Sequence, residues 1–104
     1  MARRRDNTSF VCLNCAAHVP ACTNGSYRSH CPNCLWSRHL DDRPGDRLSG
    51  CGGSMEPIGL TRPRGKGLAV MHRCQRCGVR RVNRIAADTV SPDDLDRLLE
   101  LPPA

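Results

Sequence analysis

Seven of the eight cysteines in this 104-residue chain stand in spacings that suit metal chemistry. Cys12/Cys15, Cys31/Cys34 and Cys74/Cys77 are CxxC pairs, and Cys51 opens the tripeptide Cys51-Gly52-Gly53. A CxxC turn presents two thiolates on one side of a tight loop, and two such turns complete a tetrahedral zinc shell. The first two pairs, with 15 residues between them, supply four ligands without help. A redox reading of CxxC wants a βαβ context and a single pair, and neither is found.

The second site is short of one ligand. Cys51, Cys74 and Cys77 give three, with 22 residues between Cys51 and Cys74. The residue three before Cys51 is Leu48, which cannot bind metal. The fourth ligand has four candidates: His39, His72, Cys22 and Asp46. The reading favours His39, with His72 as the alternative, and so a closed Cys3His shell. A reactive zinc needs an open position and a nearby base, and no Asp or Glu stands out as one. Cys22 lies outside every CxxC pair and reads as a small buried residue or a spare thiol.

Bulk properties support metal over a large core. Phe10, Tyr27 and Trp36 are the only aromatic residues. Small lobes this poor in bulky side chains need disulfides or metal to hold. Met1 to Phe10 carries basic residues with no apolar run behind them, so it does not read as a secretory signal. No stretch approaches the ~20 apolar residues of a membrane span. The expectation is a cytoplasmic protein with reduced thiols and two zinc ions per chain.

The elements that must position the ligands are small. The expected fold is mainly β: tandem zinc-ribbon-like knuckles with a short C-terminal α-helix. Residues 1–9 read as a basic flexible arm. Residues 10–40 form a first ribbon lobe, with Asn24-Gly25 as a turn and 35–40 as a helical turn or strand. Residues 41–50 connect to a second lobe over 51–90. In that lobe a strand interrupted by Pro57 leads to an Arg/Lys/Gly-rich tip at 61–67. A return strand enters Cys74, and one more leaves over 79–85. The helix is expected over 91–101, with Ser91 as cap, Pro92 in the first turn and Asp94 at capping-box spacing. Leu95, Leu98 and Leu99 share one of its faces.

The stretch Arg28-Ser29-His30-Cys31-Pro32 resembles the motif for which the bacterial RNHCP family is named, with Ser29 where the name has Asn. Pro44-Gly45-Asp46-Arg47, Cys51-Gly52-Gly53 with Met55, His72-Arg73-Cys74, Cys77-Gly78 and Asn83-Arg84 extend the resemblance over nearly the whole chain. The resemblance implies a small cytosolic zinc-binding protein of bacteria. It draws attention to His30, His39 and His72 beside the knuckles. His30 adjoins Cys31, which leaves it to bond a thiolate or contact a phosphate or base.

The net charge of +6 comes from 16 Lys and Arg, of which only Lys66 is lysine, against 10 acidic residues. Arginine suits bidentate phosphate contacts and stacking on bases. The candidate nucleic-acid residues are Arg3, Arg4, Arg5, Arg28, His30, Arg38, Arg62, Arg64, Lys66, Arg76, Arg80 and Arg81. Arg43, Arg47, Arg73 and Arg84 add to the basic surface. The leading expectation is a non-enzymatic protein that binds structured RNA by shape and phosphate, with ribosomal RNA the preferred target. Scarce aromatics argue against sequence-specific reading of single strands. The alternatives are a protein-interaction adaptor docking through Leu95, Leu98 and Leu99, and a metal-dependent nuclease using His30, His39, Asp41 or Asp42.

Overall fold

Each CxxC turn repeats one hydrogen-bond pattern, and the strands grow out of it. The computed structural model describes residues 8–23, 28–39, 50–65 and 67–104. In the first turn Ala16 N–H donates to the Cys12 carbonyl and Cys12 N–H to the Ala17 carbonyl. Leu35/Cys31/Trp36 and Gly78/Cys74/Val79 repeat both bonds. The residue after each pair adopts a left-handed backbone: Ala16 at φ 64, Leu35 at φ 68, Gly78 at φ 81. Gly78 takes that conformation without strain, whereas Ala16 and Leu35 do so at a cost that the surroundings offset.

The turns launch short strands. β1 (Phe10–Val11) and β2 (His18–Val19) pair antiparallel around the first turn. β3 (Ser37–Arg38) follows the second, so the strand option of the sequence reading holds at those two residues. β4 (Ser54–Thr61), β5 (Ala69–Cys74) and β6 (Arg80–Arg84) follow in order. They form a four-stranded antiparallel sheet, β3-β4-β5-β6. Strand β3, from the segment that carries the first two CxxC pairs, is thus hydrogen-bonded to β4 and joins the sheet in which β5 ends at Cys74. The register shifts between Pro57 and Gly59. Pro57 has no N–H for a ladder, and a bulge absorbs that lack.

The helix starts later than its sequence predicts. α1 runs Leu95–Glu100, and Asp94 caps it, its carboxylate accepting from Asp96 N (3.0 Å) and Arg97 N (3.3 Å). Ser91 is not the cap. Its backbone is left-handed at φ 49, and its carbonyl accepts from Arg28. The side chain of Asp93 is used elsewhere, on His30 and on Ala86 N–H. Of the three leucines only Leu98 is buried, at 2 % exposure; Leu95 and Leu99 are 62 % and 68 % exposed. After the helix, Leu60 N–H donates to the Pro102 carbonyl and Ala104 N–H to the Leu60 carbonyl. The C-terminal residues thereby run parallel beside β4, bridging Leu60 to Pro103.

Two apolar clusters result. Cys12, Val19 and Cys31 pack with Phe10, Ala17 and Cys34. Leu35, Val70 and Leu98 pack with Leu60, Ile85 and Leu101. Leu35 is pivotal, because it ends the second CxxC turn and fills the second cluster. Among the described residues no helix is long and apolar enough to cross a membrane. Leu98→Ala should cost about 2–5 kcal/mol in chemical denaturation of the zinc-loaded protein. Leu95→Ala and Leu99→Ala should stay within about 0.5 kcal/mol.

Candidate metal centres

Two sets of four ligand atoms converge, and in each set all lie within 4.8 Å of one another. The first holds Cys12, Cys15, Cys31 and Cys34, and the second His39, Cys51, Cys74 and Cys77. In the first, the Cys12–Cys34 and Cys15–Cys31 sulfurs are each 3.6 Å apart. In the second, Cys51 and Cys74 sulfurs are 3.7 Å apart, and Cys77 Sγ is 3.3 Å from His39 Nδ1. A disulfide would bring two sulfurs to about 2.05 Å. A zinc tetrahedron with Zn–S of about 2.3 Å has S···S edges of about 3.8 Å, and its S···N edges are about 3.5 Å. The observed spacings fit zinc, one ion in each cluster and two per chain.

Backbone N–H groups prepare the sulfurs for charge. The first cysteine of each CxxC turn receives N–H groups from the residues two and three positions on: Asn14 and Cys15, Asn33 and Cys34, Arg76 and Cys77. Burial opposes the Cys74 thiolate, but those N–H groups and the Cys77 and Cys51 thiols outweigh it and bring its pKa down to about 6. Cys12 is likewise lowered against burial. Cys31 goes the other way, pushed up to about 12 by burial, with the nearby Cys34 charge adding to the effect. Four crowded thiolates cannot all ionise unaided; a bound dication reverses that balance.

The fourth half-site is a knuckle whose two ligands are far apart in sequence. Gly52 N–H donates to the His39 carbonyl at 3.0 Å, and His39 N–H to the Gly53 carbonyl at 2.8 Å. Gly52 has φ 64. These are the two bonds and the left-handed residue of the CxxC turns, with His39 in the first ligand position and Cys51 in the second. Eleven residues lie between them where a CxxC pair has two. Gly53 is required by space: a Cβ there would stand 2.8 Å from Cys74 Sγ and 2.6 Å from Arg76 Cβ. Arg76 closes the site by donating to the Cys51 carbonyl at 2.9 Å.

His72, the alternative ligand, is not in the cluster. It is fully buried, with its pKa lowered to about 4 by burial and then by the nearby His30. Nε2–H donates to the Leu35 carbonyl at 2.6 Å, and Nδ1 accepts from Asn83 at 2.8 Å. One neutral tautomer satisfies both bonds, and neither nitrogen is left for metal. Cys22 is buried and outside both clusters.

Two residues read as nucleic-acid contacts lie in the interior. Arg28, 1 % exposed, donates to the carbonyls of Pro20 (2.9 Å), Val90 (2.8 Å) and Ser91 (3.1 Å). His30, also 1 % exposed, pairs through Nε2 with Asp93 at 2.7 Å. The Ser29 hydroxyl meets His30 Nδ1 at 2.8 Å, and the Ser37 hydroxyl donates to the Ser29 carbonyl. Pro32 offers its carbonyl to Asp94 N–H at 2.8 Å. The stretch Arg28 to Pro32 therefore ties the second CxxC turn to residues 90–94. Burial of a guanidinium is not visible in a sequence rich in arginine; a motif this dense in polar groups beside a ligand was the only signal. Arg38, Arg62, Arg64, Arg76 and Arg80 are exposed, and Arg81 is half-buried. Arg3, Arg4, Arg5, Arg43, Arg47, Lys66, Asp41, Asp42, Asp46 and the Asn24-Gly25 turn lie outside the described residues.

A small β protein stapled by two Cys/His metal centres is thus defined. Residues 7–96 match the RNHCP domain model, and the chain belongs to that family. The comparisons with curated proteins and with solved structures gave no match.

Chelation should unfold the protein, since structural zinc supplies on the order of 10–16 kcal/mol in small peptides. A native far-UV spectrum and a sharp thermal transition after complete zinc removal would contradict this. In native mass spectrometry the wild type should carry two zinc ions. His39→Ala and Gly53→Ala should each drop the count towards one, while His72→Phe should keep two.

Proposed function

We propose that the protein is a non-enzymatic RNA-binding module whose contact surface is the outer face of the four-stranded sheet. Residues opposite one another in an antiparallel ladder share a face, as do alternate residues along a strand. Arg38 opposes Ser54, Glu56 opposes Arg73, and Arg73 opposes Arg80. Met71 opposes Val82, and Ala69 opposes Arg84. Arg38, Arg73, Arg80 and Arg84 therefore project from one side, and all four are exposed. Among the described residues no carboxylate forms an ion pair with Arg73, Arg80 or Arg84. Exposed Arg62 and Arg64 extend the same hairpin.

This arginine face, with Glu56 as the carboxylate set opposite Arg73, carries the proposal. It suits the phosphates of a folded RNA read by shape, and ribosomal RNA is the first target to test. Of the groups in the nuclease reading, His30 pairs with Asp93 and His39 stands in a metal cluster. The adaptor reading retains the exposed pair Leu95 and Leu99.

Affinity for a structured RNA should fall steeply with salt, with a log–log slope of about −0.7 to −0.9 per phosphate contacted. The double variant Arg73→Glu/Arg80→Glu should lower both affinity and slope while keeping two zinc ions. An unchanged slope would refute the arginine face, and leucine-dependent, salt-insensitive binding of a protein partner would favour the adaptor. Co-sedimentation with ribosomal particles on a sucrose gradient tests the ribosomal target.

A further inference from the structure

The outer sheet face does not end at Arg38. Beyond β3, between that strand and the first CxxC turn, lies a groove of about 130 Å3. Phe10, Val11, Leu13 and Trp36 give it apolar walls, with Asn14 and Arg38 among its polar groups. Two of the chain's three aromatic residues thus line one groove. Leu13 and Val11, outside the first apolar cluster, are 68 % and 49 % exposed there. Trp36 immediately precedes β3 and lines the groove together with Arg38. Ser54, opposite Arg38, joins the groove to the row Glu56–Arg73–Arg80.

We propose that this groove receives one unpaired nucleobase of an RNA strand, packed against Trp36, while the flanking phosphates run over Arg38 towards Arg73 and Arg80. The inference rests on the RNA reading above and adds to it a base-sized subsite. Three observations select this occupant. The walls are apolar and partly aromatic, which suits the flat face of a base. The hydroxyl of Ser54, and the part of the Asn14 amide that the Cys34 sulfur does not use, suit its polar edges. The groove opens onto the arginine face, whose charge complements a phosphate backbone. An aliphatic peptide side chain would use the walls and leave both the polar rim and the adjoining arginines without a role. The groove is small, so it takes one splayed-out base from a loop or bulge rather than a paired helix.

Trp36 is the sole tryptophan, so its fluorescence reports on this groove alone. The test titrates the full zinc-loaded chain with an eight-nucleotide oligoadenylate RNA and with an abasic strand of the same length. The base-containing strand should quench Trp36 and bind about 5- to 150-fold more tightly than the abasic one. Trp36→Ala should bring it down to the level of the abasic strand, and Trp36→Phe should restore part of the difference. Arg73→Glu/Arg80→Glu should weaken both strands alike. Equal affinities without quenching, with the arginine variants still weakening both, would overturn the base subsite and leave the RNA reading intact. No binding of either strand or of a structured RNA would overturn both. Quenching by an apolar peptide but not by RNA would overturn the subsite in favour of a protein partner. If Trp36→Ala fails to fold, the wild-type comparison of the two strands still decides.

Discussion

Everything in this chain hangs on bringing eight ligand atoms to two points. The backbone solves the problem with one device used four times: a pair of hydrogen bonds around a left-handed residue, which fixes where two side chains converge. The N–H groups that face the first sulfur of each CxxC turn arise from the same turn conformation. Ligand placement and thiolate stabilisation are therefore one structural event. Strands as short as β1, β2 and β3, at two residues each, would not persist alone. They persist because the turns hold their ends.

The second constraint is polar and buried. Arg28 gathers three carbonyls, and His30 is paired with Asp93 while its ring lies 5.4 Å from that of His72. Charged and polar groups in such a place are tolerated only when their bonds are made. Here they take the part that bulky side chains play in other small domains. They lock residues 86–94 onto the second CxxC turn, and Leu35 and Leu98 close the apolar cluster beside them. The chain compensates for its few aromatics with directional bonds rather than with area.

Much of this was legible in the sequence. Spacing shows the first metal centre and three ligands of the second; the mainly β class and His39 as the favoured fourth ligand come from the tandem-knuckle reading. What spacing does not show is why His39 is the ligand, because a turn bond between residues 39 and 52 leaves no periodic trace. Burial was likewise hidden. Arg28 and Arg73 look alike as letters, yet one is wrapped by carbonyls and the other faces outward. The helix start was misplaced for a related reason: Ser91 and Pro92 have the right chemistry for a cap, but Arg28 and Asp93 draw that segment into a different backbone path. The pairing of β3 with β4 also escaped, since two residues of strand are too few to carry an alternation.

The split knuckle has a consequence for how the chain can vary. A turn of two hydrogen bonds and a shared ion fixes both ends of the segment between His39 and Cys51, and nothing in that closure depends on the number of residues enclosed. The sequence distance between the two ligands is therefore not set by the turn that joins them. Inside any of the three CxxC turns, by contrast, one added residue would carry a ligand out of its cluster, because the same two bonds there enclose a fixed count.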